Sequence, residues 1–151
     1  MSQRLMRLKW AVVRLLRGPT AASRSVGMTI GKDCRVLTKE FGSEPWLITI
    51  GDRVTVAGLV RLLTHDGAAW LVRDERGRRY HFKRTVIGNE VFVGTMSIIM
   101  PGVTIGDRCI VAAGSVVTRS VPSGAIVAGA PARIIGRYDD YHAKALAEMK
   151  S

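Results

Sequence analysis

Aromatic residues are scarce, at 6% of 151 positions, three each of Trp, Tyr and Phe. That suits an interior too narrow for rings and lacks the interleaved aromatics of an RNA-binding sheet. Cysteine is scarcer still. Cys34 and Cys109 read as reduced thiols packed as small hydrophobes, with nothing to support a disulfide or a catalytic thiol. No run of about 18 apolar residues exists, so nothing is expected to span a membrane. The N-terminus is basic, but Arg breaks its apolar stretches and no small-residue cleavage site is clear. It is not read as a signal peptide, and the cytoplasm is the expected compartment. Acids are few: 12 against 23 Lys and Arg, a net charge of +11. Such a balance favours an anionic partner: nucleic acid, a lipid headgroup surface or a polyphosphorylated small molecule. Without interleaved aromatics or zinc-finger Cys/His spacing, no nucleic-acid partner is expected.

What the chain does have is a period. From Ile87 to Val117 an aliphatic residue returns every sixth position: Ile87, Val93, Ile99, Ile105, Val111, Val117. Small or β-branched residues follow four positions later at Val91, Ser97, Val103, Cys109, Ser115 and Val121. A helix repeats its buried face every 3.6 residues and a strand every 2, so neither explains a period of six. The pattern predicts an all-β solenoid in which each hexapeptide is one side of a coil. Eighteen residues then make one three-sided turn, stacking Ile87 under Ile105 and Val93 under Val111, strands about 4.8 Å apart. At 47% hydrophobic content and this length, one domain is expected.

Weaker repeats start at Ile30 and Val36, and resume at Ile50, Val56 and Leu62. Between them, Lys39–Trp46 breaks the period and reads as a loop. The expected organisation is an amphipathic helix and linker over 1–25, a coil domain over 26–137, and a helical tail over 138–151. The helix proper covers 1–18, with Leu5, Leu8, Val12, Leu15 and Leu16 in one stripe, and ends at Gly18-Pro19. The stripe has two readings: a cap on the coil's open end, which is favoured, or peripheral contact with an anionic membrane surface. The period stops at His65, and 66–84 form one long extended loop. Asp74-Glu75-Arg76-Gly77 looks like a hairpin turn flanked by Trp70-Leu71-Val72 and Tyr80-His81-Phe82. Excursions of this length from a regular coil are usually functional.

The order Val91-Phe92-Val93-Gly94-Thr95, Ile99-Met100-Pro101-Gly102-Val103-Thr104-Ile105-Gly106, Ala112-Ala113-Gly114-Ser115-Val116-Val117-Thr118 and Val127-Ala128-Gly129-Ala130-Pro131-Ala132-Arg133 carries more information. It resembles the hexapeptide-repeat acyltransferases, in particular the galactoside/maltose O-acetyltransferase branch and its bacterial polysaccharide O-acetyltransferase relatives. The detailed likeness covers about residues 85–137. It implies a left-handed parallel β-helix, a homotrimer, and acetyl-CoA as co-substrate in the groove between neighbouring chains, with no metal. The implied cofactor-binding residues are Gly94, Thr95, Ala113, Gly114, Thr118, Arg119 and Arg133. Small residues let a pantetheine arm run close to backbone amides, and an arginine suits the nucleotide phosphates.

The resemblance also places the catalytic histidine at His65. The chemistry agrees, because a hydroxyl attacking a thioester needs a base and histidine titrates near neutrality. Asp66 is a candidate to orient the ring, and Asp66, Trp70 and His81 are candidates for acceptor binding. Phe92 stands where the family usually has Trp. The loop 66–84 is longer and more basic than usual, which suits a charged, nucleotide-linked or lipid-linked sugar. The expected activity is O-acetylation of a sugar or sugar-linked acceptor, in surface polysaccharide or glycolipid synthesis. Rivals are N-acetylation of an amino sugar or antibiotic, and a metal enzyme like the γ-type carbonic anhydrases using His65, His81 and His142. Serine acetylation is disfavoured by the lack of a larger N-terminal helical region. A non-catalytic coil that only binds is opposed by His65 and Ala113-Gly114-Ser115.

Overall fold

The computed structural model describes residues 2–149. Residue 1 of the expected N-terminal helix and residues 150–151 of the expected tail lie outside the described residues. The chain opens with helix α1 (Gln3–Ser25). It then visits three faces in a fixed order. The first turn is β1 (Thr29–Ile30), β2 (Arg35–Val36) and β3 (Glu40–Phe41), and the second is β4 (Ile48–Ile50), β5 (Thr55–Val56) and β6 (Arg61–Leu62). A hairpin of β7 (Arg73–Asp74) and β8 (Gly77–Arg78) interrupts the coil. The third turn is β9 (Thr85–Ile87), β10 (Phe92–Val93) and β11 (Ile98–Ile99), and the fourth is β12 (Thr104–Ile105), β13 (Ile110–Val111) and β14 (Val116–Val117). β15 (Ala125–Gly129) continues the second face. β16 (Ala132–Arg137) turns back antiparallel to it and leads into α2 (Tyr138–Glu148).

All pairing between turns is parallel and in register. Ile30, Ile50, Ile87 and Ile105 align on the first face. Val36, Val56, Val93, Val111 and Val127 align on the second. Phe41, Leu62, Ile99 and Val117 align on the third. These columns are the six-residue period, and apart from Ile30 and Phe41 they are buried. The residue four positions after each core aliphatic, Val91, Ser97, Val103, Cys109, Ser115 and Val121, is also buried. Ser97 and Ser115 donate their hydroxyls to the Ala112 carbonyl, 3.0 and 2.6 Å away, so the interior hydroxyls are satisfied. Cys109 is buried and Cys34 half-buried, both as free thiols, and burial pushes the Cys109 thiol up.

The period of six has a backbone cause. Each side is a two-residue strand and a tight corner. At Asp33, Arg53, Leu59, Glu90, Met96 and Arg108, and at Gly102, Gly114 and Gly124, the third residue after the core aliphatic has positive φ. Such a left-handed residue swings the chain onto the next face; the corners after Val36, Leu62 and Val117 turn without one. The corner between first and second faces is tightest. There Gly31, Gly51, Gly88 and Gly106 stack, and a polar ladder runs beside them. Asp52 Oδ1 accepts from Lys32 N at 2.7 Å, Asn89 Oδ1 from Asp52 N at 2.8 Å, Asp107 Oδ1 from Asn89 N at 2.6 Å, and Ser123 Oγ from Asp107 N at 3.0 Å. A Cβ on Gly88 would lie 2.4 Å from Asp107 Oδ1 and 2.9 Å from the Gly106 carbonyl carbon. Gly88→Ala should therefore cost about 2–3 kcal/mol by overpacking. Urea unfolding measures it, and a loss under about 0.5 kcal/mol would contradict the stacking argument.

Four local expectations are corrected. The first helical stretch does end at Gly18, whose φ of 82° and ψ of 172° are not helical, but 19–25 is no linker: a second helical stretch runs from Pro19 to Ser25, Pro being tolerated in a first turn. The stripe Leu5, Leu8, Val12, Leu15 and Leu16 does not cap the coil, as its members are 50–87% exposed. The packed face is instead Met6, Trp10 and Val13 with Ala22 and Val26, and Phe41 joins this cluster to the coil core. The indole Nε1–H of Trp10 donates to Ser23 Oγ at 3.4 Å, a partner that Leu would not need. The segment Lys39–Trp46 is not all loop: β3 lies in it, and Phe41 completes a core column one residue short of the period. Finally, Trp70-Leu71 lie in a 3₁₀ turn, Gly67–Leu71, while the hairpin turn at 74–77 forms as expected.

Candidate active site

His65 follows β6, on the corner between the third and first faces. Here the excursion leaves and returns. His65 forms an antiparallel bridge with Phe82, and Lys83 N donates to the Thr64 carbonyl at 2.8 Å. The loop 66–84 is thus clamped at its base above His65. Directly beneath lies a residue that sequence reading passed over. Glu44 Oε2 stands 2.9 Å from His65 Nδ1 and accepts from Thr64 Oγ1 at 2.8 Å. Its side chain is 12% exposed, against 40% for His65. Burial by itself would raise the Glu44 carboxyl. Hydrogen bonds from His65, Thr64 and Ser43, together with the His65 charge, outweigh it and hold the carboxyl below the ordinary glutamate value. An ionised carboxylate only accepts, so Nδ1 donates to it, and in the neutral ring that tautomer leaves Nε2 as the open acceptor.

Asp66 does not orient the ring. It accepts from Ala68 N at 2.9 Å and caps the 3₁₀ turn. Adjacency in sequence pointed to Asp66, whereas Glu44 comes from the irregular corner after β3. Asp66, Trp70 and His81 do border, with His65 and Glu44, one cavity of about 190 Å³. Its wall is a run of stacked groups. The Phe82 ring meets His65 edge-on with centroids 6.0 Å apart, and Tyr80 stacks on Phe82 at 5.8 Å. The Arg78 guanidinium lies over both Tyr80 (4.6 Å) and Trp70 (3.9 Å). Tyr80, Phe82 and Arg78 join the sequence candidates here. Their signal was the aromatic and basic composition of the loop.

A second group gathers on another corner, between second and third faces. Gly94 and Thr95 follow β10, and Ala113 and Gly114 follow β13. Gly114 N donates to the Thr95 carbonyl at 2.9 Å, and Thr95 Oγ1 to the Gly58 carbonyl at 2.7 Å. Arg133, on β16 opposite Ala128, stands exposed at the end of this edge. A Cβ on Gly94 would lie 2.5 Å from Ala113 N, so the coil alone requires glycine there. Gly114 has open space around it. Thr118 and Arg119 follow β14 and share the His65 corner, two turns further on. Within one chain, then, His65 and the Gly94–Ala113 edge stand on different corners. His142 lies on α2, and among the described residues no group of three His, Cys, Asp or Glu is placed to hold a metal.

The model of the bacterial transferase hexapeptide family (six repeats) matches residues 84–119. Protein CapG of Staphylococcus aureus is 47% identical over 126 residues, covering 82% of this chain and 73% of CapG. The galactoside O-acetyltransferase of Escherichia coli is 38% identical over 97 residues, covering 64% of this chain and 47% of that protein, so the chain spans about half its length. A hexapeptide-repeat acetyltransferase structure from Vibrio cholerae superposes with a TM-score of 0.67 at 25% identity, covering 89% of this chain and 92% of that one. A galactoside acetyltransferase in complex with coenzyme A shares the fold, with a TM-score of 0.70 at 24% identity over 95% of this chain and 86% of that one. By sequence over most of its length, and by fold, this chain belongs to the bacterial hexapeptide-repeat transferase family and is an acyltransferase.

Proposed function

We propose that the protein transfers acetyl from acetyl-CoA to a hydroxyl of a sugar or sugar-linked acceptor, with His65 as general base. The observation that carries this is the Glu44–His65 pair, set in an aromatic-walled cavity at the one long break in the coil. Nε2 takes the acceptor hydroxyl proton as its oxygen attacks the thioester carbonyl carbon. The developing oxyanion is held by backbone N–H groups near Thr95 or Ala113. Collapse breaks the C–S bond, and the thiolate leaves with the proton from His65 as free CoA.

The coil on this reading is left-handed and three chains form a homotrimer. Side-by-side packing would set His65 of one chain against the Gly94–Ala113 edge of another, with the pantetheine arm between them. Arg133 would lie toward the nucleotide phosphates. Surface polysaccharide or glycolipid synthesis in the cytoplasm is the setting the reading favours.

The test is mass spectrometry of products from purified protein, acetyl-CoA and a panel of sugars and amino sugars. An O-linked acetyl that alkali releases supports the reading. An alkali-stable N-acetyl product would favour the amino-sugar alternative.

A further inference from the structure

We propose that Arg78 selects acceptors bearing a carboxylate or phosphate near the reacting hydroxyl. This rests on the reading that the His65 cavity acetylates a sugar. Arg78 borders that cavity and is held between the faces of Trp70 and Tyr80, 3.9 and 4.6 Å from their centroids. Ring stacking occupies the face of a guanidinium and leaves its N–H edges for in-plane bidentate bonds to an anion. The two carboxylates that border the cavity, Glu44 and Asp66, are engaged elsewhere. Arg79 pairs with Asp74, Glu44 is taken by His65 and Thr64, and Asp66 by the Ala68 N–H. Among the described residues no carboxylate pairs with Arg78. The charge is thus fixed, aimed by two rings, and uncompensated at the mouth of the site. The rings extend as a run through Phe82 to His65, offering apolar faces along the path from anion to base.

The experiment compares kcat and KM for a neutral hexose, the matching uronic acid and the matching sugar phosphate, in the full-length enzyme and in Arg78→Ala and Arg78→Lys. The expected result is a preference of about tenfold or more in kcat/KM for one charged acceptor. That preference should collapse in R78A through KM, and survive in part in R78K. Which charged arm responds identifies carboxylate or phosphate. Equal use of neutral and charged sugars, or an R78A loss that is the same for all three, overturns the proposal while leaving sugar acetylation standing. No acetylation of any sugar overturns both.

An independent observation carries a second inference. We infer that the outer stripe of α1 docks on an anionic lipid surface. Leu5, Leu8, Val12, Leu15 and Leu16 are 50–87% exposed, while the opposite face is already committed to the coil through Met6 and Trp10. Arg4 and Lys9 border the stripe, Arg7 and Arg14 lie further round toward Trp10, and no acid precedes Asp33. An anionic bilayer matches both the stripe and its flanking charge. No described helix is long and apolar enough to cross a membrane, so contact is with the surface.

Co-sedimentation of the full chain with phosphatidylcholine vesicles, with and without phosphatidylglycerol, tests this. Partition should rise about tenfold with the anionic lipid and fall back in salt. A Leu8→Glu, Leu15→Glu variant should lose it with its oligomeric state unchanged. Absence of binding, undiminished binding by the variant, or a variant whose oligomer falls apart (the stripe then being a chain–chain interface) each overturns the inference.

Discussion

His65→Ala should lower kcat for acetyl transfer by about a thousandfold, the scale of losing a positioned general base. Binding of acetyl-CoA and the oligomeric state should stay as they were, because the coil does not depend on this side chain. His65 is 40% exposed, and its only hydrogen-bond partner among the described residues is Glu44. Its backbone bridge to Phe82 persists with any residue. A steady-state assay following thiol release, beside calorimetry with CoA, separates the two effects. Retained turnover would remove His65 from the mechanism, and lost CoA binding would make its role structural.

Glu44→Gln should cost about a hundredfold in kcat with little change in KM for acetyl-CoA. Gln is nearly isosteric and keeps the Thr64 contact. It can, however, turn its amide N–H toward Nδ1, which would leave the proton on Nε2 and block the base. The Glu44 carboxylate can only accept, so it admits one tautomer. Glu44→Asp, which keeps the charge on a shorter arm, should recover part of the loss. Activity equal to wild type in E44Q would show that the ring needs no carboxylate.

Stability provides a second readout. Glu44 holds its proton more weakly folded than unfolded, since its folded value lies below the ordinary 4.5. Its contribution is therefore complete above that value and is lost as pH falls through the lower folded one. Urea midpoints of wild type and E44Q should differ most at neutral pH and converge as the pH falls below the ordinary carboxyl value of 4.5 and through the lower folded one. A gap that stays constant would contradict the ionised pair.

The coil itself was readable because its constraint is local and repeated. One aliphatic per side and a small or β-branched residue four positions later recur at a fixed interval, so Ile87–Ile105 and Val93–Val111 could be paired from spacing alone. Where spacing slips, reading fails. Phe41 arrives one residue early, and β3 looked like loop although its neighbours in the third dimension hold it in register. In α1, Leu5, Leu8, Val12, Leu15 and Leu16 made the more regular stripe. Yet Trp10 and Met6 were buried, because the indole N–H finds Ser23 after the Gly18 kink, a contact no helical periodicity contains.

The sequence by itself determined the architecture, the family and His65 as the residue where the period stops, since each depends on neighbours a few positions apart. Only the tertiary structure decided what surrounds His65. Glu44 lies a full turn of coil away in sequence and 2.9 Å away in space. Arg78 is aimed by two rings that meet only when the hairpin closes. Parallel stacking makes residues from successive turns neighbours, and the side chains that share a corner are chosen by register rather than by adjacency along the chain.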